Sequence, residues 1–409
     1  MKLLKVDTLE MGIEKLYKSY TSVQSKPEIE VIPLVKALGR VLAEDIISGE
    51  EIPGFNRSVV DGYAVKALET AGSSDSMPVF LQVVGEVEMG KAAPGPIASG
   101  QCMYVPTGGM IPEGADAVAM VEHCQPFGID QMAIYSPLSY GRNMVFAGDD
   151  VALEQKVLDA GKVITPADMG LLSSLGKVQV AVYKPWKAYI ISTGDEVVEP
   201  NKAPMLGQVR DVNTYGLIGE AERLGFEVCG FELIKDDFDL LKSRAKAARE
   251  TCDIVLISGG SSKGKKDVTE QVIEEITGEI LTHGLAVKPG KPTILSFDKE
   301  TKTIYAGLPG HPVAALLLFR LVVGGLWQRL CGTDAVTKEM PLKGKMAVNL
   351  AASPGRKTFQ LVKIDGKWVT PILGKSGLIR TMSEADGYII LDVNDEGINK
   401  GEEIEVYLL

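Results

Sequence analysis

Acidic side chains stand beside runs of the sequence that have the pattern of buried strands. Glu196 closes the segment STGDE (Ser192–Glu196), Asp236 follows the run Val228–Ile234, and Asp267 opens a helical pattern. Mg²⁺ usually takes one or two carboxylates from a protein together with phosphate oxygens of the substrate. The three residues therefore predict a Mg²⁺ site for a phosphorylated ligand. Taken singly, Asp236 also fits an ordinary turn and Asp267 a helix N-cap.

Glycine and lysine gather in the same region. The segment SGGSSKGKKD (Ser258–Asp267) follows an apolar run, and its glycines let backbone N–H groups face an anion. Lys288 and Lys291 lie on either side of a Pro-Gly pair, and lysine suits a phosphate or another tetrahedral oxyanion. The segment GLPGHP (Gly307–Pro312) opens a long helical pattern, whose first N–H groups also favour anions. The predicted substrate-binding residues of this region are Gly194, Asp195, Ser258, Gly259, Gly260, Ser262, Lys263, Gly264, Lys288, Lys291, Pro309, Gly310 and Pro312.

Each of these segments alone has a simpler explanation, since a Gly-Gly turn is often only a turn and a lysine cluster is usually solvated. Their joint occurrence at consecutive strand ends favours a function. From about Pro185 the chain alternates strands and helices, which predicts a mostly parallel sheet covered on both faces, with its ligand at the carboxyl ends of the strands. The predicted strands are Ala188–Ser192, Val228–Ile234, Ile254–Ser258, Thr293–Phe297 and Thr303–Ala306, and the predicted helices are Asn213–Leu224 with Asn213 as its N-cap, Phe238–Glu250, Asp267–Ile276 and one from about Val313.

The rest of the chain is rich in short β-prone runs. Residues Thr8–Tyr20 carry a helical stripe, and Pro33–Gly39 predicts a short helix. Runs separated by Gly and Pro turns fill the region from Ile46 to about Tyr183 and predict more than one small β subdomain. After about Thr333 similar runs predict a C-terminal barrel or sandwich.

Composition excludes several classes of function. The net charge of −11 argues against nucleic-acid binding, which needs a basic face. The five cysteines form no CxxC pair, so we expect reduced thiols in a cytoplasm and no structural zinc. The first twenty residues contain acidic side chains and are amphipathic, so we do not expect a signal peptide there. The most apolar run, Val313–Leu330, is interrupted by Arg320 and is interpreted as a buried helix, so no membrane span is expected.

Seven strings occur in an order that resembles the molybdopterin molybdenumtransferase family, the MoeA-like proteins that include the E domain of gephyrin. The resemblance covers nearly the whole chain, and its combination of motifs is more specific than any one of them. The matching strings are FNRSVVDGYAV, PTGGMIPEGADAV, STGDE, GQVRDVN, SGGSSKG, VKPGKP and LPGHP.

The resemblance implies an elongated homodimer built from four parts. They are a dimer-forming subdomain of residues 1–52 with 148–183, a β-rich inserted subdomain of residues 53–147, a molybdopterin-binding α/β domain of residues 184–333, and a C-terminal β barrel of residues 334–409. It also implies an Mg²⁺-dependent reaction in which adenylylated molybdopterin and molybdate are the substrates and AMP is released.

The resemblance further assigns roles to matching positions. Asp61, Thr107 and Asp150 match catalytic candidates. In this family, such residues of one subunit help to complete the cleft of the other subunit. From the spacing alone, each of the three would be explained as a turn or hairpin residue. Glu196, Asp236 and Asp267 match residues that contact metal or pterin, and Lys288 and Lys291 match lysines that hold molybdate. Pro309 and Pro312 shape the rim, and Arg356 and Ser376 are further candidates for oxyanion contacts.

Four positions depart from the family pattern. His311 stands where Asn is usual, Gly284 where Lys is frequent, and the loop reads SSKG where the family usually has a small or apolar residue at positions 261 and 263. The loop lysines Lys263, Lys265 and Lys266 are candidates to replace the cation missing at Gly284. Tungstate in place of molybdate, and a modified pterin, therefore stay open. Two other functions are also open. One is the adenylyltransferase that makes adenylylated molybdopterin, but the long N-terminal β region argues against it. The other is a scaffold protein that keeps the cleft without the catalytic activity. The expected partners are the molybdopterin adenylyltransferase and downstream molybdoenzymes.

Overall fold

The computed structural model describes residues 6–259, 268–333 and 341–409. They form two compact units. The main unit comprises the described parts of Met1–Glu44, Ala160–Thr165 and Gln179–Leu409, and the β-rich unit comprises Asp45–Asp159 and Pro166–Val178. The four domain boundaries given above stay a prediction, since this division separates two units only.

The described residues form helices and strands in the following order along the chain. The helices are α1 (Leu9–Thr21), α2 (Pro166–Ser174), α3 (Asn213–Arg223), α4 (Phe238–Ala248), α5 (Val268–Thr277), α6 (Pro312–Leu318), α7 (Gly325–Cys331) and α8 (Ile379–Ser383). The strands of the first part are β1 (Ile29–Pro33), β2 (Ile46–Ile47), β3 (Arg57–Ser58), β4 (Gly62–Val65), β5 (Val79–Glu86), β6 (Gln101–Val105), β7 (Ala117–Met120), β8 (Cys124–Phe127), β9 (Gln131–Ile134), β10 (Met144–Val145), β11 (Lys156–Leu158) and β12 (Gln179–Tyr183). The later strands are β13 (Lys187–Thr193), β14 (Val197–Val198), β15 (Val209–Arg210), β16 (Glu227–Ile234), β17 (Ile254–Gly259), β18 (Thr282–His283), β19 (Val287–Lys288), β20 (Ile294–Asp298), β21 (Thr303–Leu308), β22 (Leu342–Met346), β23 (Leu350–Ala351), β24 (Lys357–Asp365), β25 (Trp368–Pro371), β26 (Gly387–Leu391), β27 (Gly397–Ile398) and β28 (Glu403–Leu408).

The N-terminal helix is confirmed, whereas the predicted helix over Pro33–Gly39 is wrong. The Thr8 side chain caps α1 by accepting a hydrogen bond from the Met11 backbone N–H at 3.2 Å. The second segment forms only one 3₁₀ turn, Leu34–Lys36. It ends because the Gly39 backbone N–H donates to the Ile164 carbonyl instead of continuing a helix.

The β-rich unit is built on a mixed six-stranded sheet in the order β7-β4-β6-β5-β9-β8. Strands β5 and β6 are parallel, and the other neighbouring pairs of this sheet are antiparallel. Apolar side chains from both faces are buried, including Leu81 and Ile134 on one face and Met103 and Val118 on the other. The predicted β subdomain therefore has its own core.

The main unit contains a second six-stranded sheet, in the order β16-β13-β17-β21-β20-β18. Strands β16, β13, β17 and β21 run parallel, as predicted, and β20 and β18 add two antiparallel pairings at one edge. Strands β20 and β21 are antiparallel because only residues 299–302 connect them. A parallel pair would need a crossover connection of a dozen residues or more. Helix α3 begins at Asn213 with Val212 as its N-cap, so the predicted N-cap is wrong.

The long C-terminal helix of this domain is a core element. It runs from Pro312 to Cys331 with a π-helical stretch, Phe319–Gly324, between α6 and α7. Among the described residues this helix alone has the length and hydropathy of a membrane span, and 83 % of its most apolar window is buried inside the protein. It packs against α1 and α3, where Trp186, Phe226 and Trp327 form edge-on aromatic contacts. The prediction of a buried helix is confirmed.

The C-terminal region forms a closed barrel. Strands β24, β25, β22, β28 and β26 follow one another around it, and a pairing between β24 and β26 closes the ring. The short strand β19, which carries Lys288, pairs in parallel with β24 and thereby joins the α/β domain to the barrel. Of the two alternatives drawn from the sequence, the barrel is correct.

The expectation that all five cysteines are reduced is wrong. Cys229 and Cys252, separated by 23 residues, form a disulfide. Cys229 is the extra residue of a bulge in β16, because Ala188 pairs with Val228 and Tyr189 with Gly230. A bulge re-aims its side chain, which lets Cys229 reach Cys252 across the intervening strand β13. The remaining cysteines, Cys102, Cys124 and Cys331, are free thiols.

Candidate active site

A cavity of about 720 Å³ lies at the carboxyl ends of the parallel strands and is called the main cavity here. Strands β13, β17 and β21 end at Thr193, Gly259 and Leu308, and the turns after them form its walls. This edge placement is what the sequence predicts for a parallel α/β sheet. The predicted site residues that line the main cavity are Gly194, Glu196, Asp236, Ser258, Gly259, Pro309, Gly310, Pro312 and Ser376.

Two of the three predicted metal ligands face the main cavity. Asp236 Oδ1 accepts a hydrogen bond of 2.6 Å from Thr193 Oγ1, and Glu196 folds back toward Gly194. Asp267 lies outside the described residues. Within residues 6–259, 268–333 and 341–409, no group of three or more His, Cys, Asp and Glu side chains is arranged to hold a metal. Two carboxylates in one cavity nevertheless fit an Mg²⁺ ion that takes its remaining ligands from water and phosphate.

A buried polar network supports the floor of the main cavity. Ser192 Oγ donates to Asp211 Oδ1 at 3.1 Å and accepts from Thr214 Oγ1 at 2.8 Å, and all three side chains are buried. Such a network fixes the β13 turn against the first turn of α3, because buried polar groups are costly when unpaired.

Asn213 links two of the cavity turns. Its amide nitrogen donates to Ser258 Oγ at 2.7 Å and to the Gly310 carbonyl at 2.9 Å. Because a carbonyl can only accept, this contact fixes the orientation of the carboxamide. The string GQVRDVN contains Asp211 and Asn213, but neither was predicted as a site residue. The signal that could have found them is an Asp and an Asn two positions apart at the start of a helix, at the edge of a parallel sheet.

A second cavity of about 530 Å³, called the basic cavity here, adjoins the main cavity. Its described lining contains no acidic side chain and four cations, Lys288, Lys291, Arg356 and Lys375. Lys288 Nζ donates to Ser353 Oγ at 2.7 Å. The predicted residues Lys288, Lys291 and Arg356 are therefore brought together, but beside the main cavity and not in it. The two cavities share Gly290, Pro292, His311 and Ser376.

Asp195 is a predicted site residue that lines neither cavity. Its carbonyl accepts a hydrogen bond of 2.6 Å from Lys235 Nζ, which is a structural contact of the turn. Five other predicted residues lie outside the described residues, namely Gly260, Ser262, Lys263, Gly264 and Asp267.

The β-rich unit holds the three N-terminal candidates. Asp61 Oδ1 accepts from the Thr107 backbone N–H at 2.7 Å and from Thr107 Oγ1 at 3.1 Å. The structure thus brings these two residues together, although the strings that carry them are far apart in the sequence. Asp150 is exposed, and its backbone N–H donates to the Ile52 carbonyl at 3.0 Å.

The net charge of the chain is unevenly distributed. The β-rich unit contains six Lys and Arg residues and seventeen Asp and Glu residues, so its own net charge is −11. This value equals the net charge of the whole chain. The main unit, with both cavities, is balanced at thirty-seven of each sign. An anionic ligand therefore meets no net repulsion from the unit that contains the cavities.

Comparison with known proteins gives the family. Residues 8–176 match the MoeA N-terminal region (domain I and II), residues 189–328 a probable molybdopterin binding domain, and residues 343–409 the MoeA C-terminal region (domain IV). The chain is 33 % identical, over 100 % of both chains, to a Methanocaldococcus jannaschii protein named for molybdopterin biosynthesis. It is 32 % identical to the molybdopterin molybdenumtransferase of Haemophilus influenzae, over 93 % of each chain. The crystal structure of a molybdopterin biosynthesis MoeA protein from Pyrococcus horikoshii OT3 superposes with a TM-score of 0.84 at 29 % identity, covering 99 % of this chain and 100 % of that one. With a shared fold and similarity over its full length, the chain belongs to the MoeA family of molybdopterin molybdenumtransferases, transferase enzymes of molybdenum cofactor biosynthesis.

Proposed function

We propose that this protein inserts molybdenum from molybdate into adenylylated molybdopterin and releases AMP in an Mg²⁺-dependent reaction. The observation that carries the proposal is the pair of adjoining cavities, one lined by carboxylates and strand-end turns and the other by four cations. A reaction between a phosphorylated ligand and a separate oxyanion needs two such compartments in contact. The family membership supports the same substrates.

The main cavity would bind the adenylylated molybdopterin. The glycine turn at Gly259 lines it, and backbone N–H groups in such turns favour phosphate. Glu196 and Asp236, together with Asp267, would hold Mg²⁺. The bound cation would neutralise charge that develops on the phosphate oxygens during cleavage. Thr193 would keep Asp236 in place through its hydroxyl hydrogen bond.

The basic cavity would bind molybdate. Lys288, Lys291 and Arg356 supply positive charge without a competing carboxylate in the described lining, and Ser376 adds a hydroxyl at the side shared with the main cavity. Pro309 and Pro312 would shape the rim of the main cavity and so limit the directions from which the two ligands can approach each other. Tungstate has the same shape and charge as molybdate, so the same groups would accept it.

We further propose that the protein is a cytoplasmic homodimer in which Asp61, Thr107 and Asp150 of one subunit act on the ligand bound to the other. The Asp61–Thr107 contacts support this proposal because they hold both side chains in one fixed arrangement. Mixing an Asp61→Asn chain with an Asp236→Asn chain tests it. A dimer that acts in trans regains activity in the mixture, because one of the two sites is then intact. No recovery in mixed dimers of proven composition contradicts the proposal.

The enzyme would receive adenylylated molybdopterin from a molybdopterin adenylyltransferase and pass its product to apo-molybdoenzymes. The test of the reaction is the release of AMP from purified adenylylated molybdopterin, followed by chromatography. Release is expected only when Mg²⁺ and molybdate are both supplied. Omission of each in turn, and replacement of molybdate by sulfate, are the controls. If AMP is not released in the complete mixture, or if ATP is consumed with free molybdopterin instead, the proposal is wrong.

A further inference from the structure

His311 and Ser376 form the contact at which the two cavities meet. They are the polar side chains among the four residues that the described linings have in common. His311 Nδ1 and Ser376 Oγ are 2.9 Å apart. His311 directly precedes α6 of the α/β domain, whereas Ser376 belongs to the loop between β25 and α8 of the C-terminal region. The pair therefore joins two parts of the main unit at the boundary between the cavities.

The imidazole of His311 is held in a defined position. A second contact, from the Val313 backbone N–H to the Ser376 carbonyl at 3.2 Å, fastens the same loop to the first turn of α6. Of the two ring nitrogens, only Nδ1 has a hydrogen-bond partner within the part of the chain that the structure describes. The side chain is exposed, so Nε2 is left for a ligand. If the Ser376 hydroxyl donates to Nδ1, the ring proton resides on Nε2, which is then a donor.

The charges on the two sides of His311 differ in sign. On one side stand the cations of the basic cavity, Lys288, Lys291, Arg356 and Lys375. On the other side the carboxylates Glu196, Asp211 and Asp236 line the main cavity, and Arg210 is the Lys or Arg side chain in its described lining. A dianion in the basic cavity is attracted by the first set and repelled by the second. A hydrogen-bond donor at the boundary can hold such an anion close to the main cavity.

We propose that His311 is a substrate-binding residue, whose Nε2–H donates a hydrogen bond to a tetrahedral oxyanion at the junction of the basic and main cavities. The inference rests on the proposed function, in which that oxyanion is molybdate or tungstate. Ser376 acts as a positioning residue, because its hydroxyl holds the imidazole through Nδ1 and leaves Nε2 for the ligand. The lysines and Arg356 attract any anion of suitable size, whereas the imidazole fixes the place where the anion meets the second ligand.

The test is calorimetric titration of the full-length protein with sodium molybdate in the absence of pterin. His311→Asn retains an amide near the position of Nδ1 but lacks a donor at Nε2, and we expect it to weaken molybdate binding about tenfold, the effect of one hydrogen bond to a charged group. His311→Gln places an amide near Nε2 and should recover part of the affinity. His283→Asn is the matched control, because His283 pairs with Glu270 and lines neither cavity. It should bind molybdate within twofold of the wild type.

Several outcomes separate this inference from the proposed function. If His311→Asn binds molybdate as tightly as the wild type, the inference is wrong even when AMP release is normal. Weaker binding in His311→Asn, with unchanged thermal unfolding, supports it even when no AMP is released. In the activity assay the variant should raise the KM for molybdate about tenfold while changing kcat much less. Failure of the wild type to bind molybdate or tungstate overturns the inference.

Discussion

Residue 259 lies so close to the Thr193 carbonyl that only glycine fits. A Cβ on Gly259 would be 1.9 Å from the Thr193 carbonyl oxygen, and the φ angle of +125° is one that other residues rarely adopt. The two residues are register partners at the ends of the parallel strands β13 and β17, and both line the main cavity. The close approach of the two strand ends thus sets the width of the cavity floor.

Gly259→Ala is expected to unfold more easily and to lose activity. The clash must be relieved by moving the end of β17 away from β13, at a cost of about 2–4 kcal/mol. Urea unfolding measures this cost, and AMP release measures the loss of function. Gly310→Ala is the control in the same cavity, because its Cβ would meet the nearest heavy atom, the Gly259 Cα, at an ordinary 3.7 Å. Equal stability of the two variants would contradict the prediction.

Asp236 and Asp237 are neighbours in sequence with different surroundings. Asp236 lines the main cavity, whereas Asp237 caps α4 by accepting from the Leu240 backbone N–H at 2.8 Å. Asp236→Asn is expected to lower AMP release by about a hundredfold or more, because a charged ligand near the phosphate is lost. Asp237→Asn should remain active and stable, since Asn is an equally good cap. In a titration with Mg²⁺, only Asp236→Asn should need a higher Mg²⁺ concentration for half-maximal activity. Similar losses in both variants would indicate a structural effect.

The disulfide between Cys229 and Cys252 should stabilise the main unit. A crosslink across 23 residues restricts the unfolded chain and contributes about 3 kcal/mol. Without reductant, the denatured protein should expose three titratable thiols, and the Cys229→Ser/Cys252→Ser variant should unfold at a lower urea concentration. Cys124→Ser is the control, since a hydroxyl can keep the contact of this side chain with the Met120 carbonyl. A count of five thiols would contradict the disulfide.

The free thiols should react slowly in the folded protein. Burial raises the pKa of Cys102 and the pKa of Cys124 to about 12, so almost no thiolate is present near pH 8. Labelling with a maleimide at this pH should be slow in the native state and fast after denaturation. Rapid modification of either cysteine in the native protein would show that its environment is more open than the structure indicates.

Asp253 should make the stability of the main unit fall as the pH rises. Burial raises the pKa of Asp253, an effect that the hydrogen bond from the Lys187 backbone N–H at 2.7 Å offsets only in part. The folded protein therefore holds this proton more tightly than the unfolded chain, and the stabilisation is lost as the pH increases from the ordinary Asp pKa through the raised one. Asp253→Asn keeps an acceptor for Lys187 without the charge. In urea unfolding, the variant should gain stability relative to the wild type as the pH rises above the ordinary Asp pKa. A difference that is constant with pH would contradict the prediction.

The family resemblance and the order of local elements could be read from the sequence because both depend on short segments. The alternation of apolar runs with helical patterns after Pro185 predicted the parallel strands, and a parallel sheet places its strand ends on one edge whatever else the chain does. This is why Glu196, Asp236 and Gly259 were correctly expected to share one crevice. The N-terminal helix and the buried helix that follows Pro312 were predictable for the same local reason.

Contacts between distant segments were decided only by the tertiary structure. Lys288 and Arg356 form a separate cavity because β19 pairs with β24 of the barrel, a pairing that no local pattern contains. The disulfide depends on a bulge that turns Cys229 toward Cys252, and the partition between the cavities depends on a loop that brings Ser376 to His311. Residue types and spacing thus determined which chemistry the chain can perform. Long-range packing determined which of those groups face one another, because side-chain direction is set by the neighbours that fill the space around each residue.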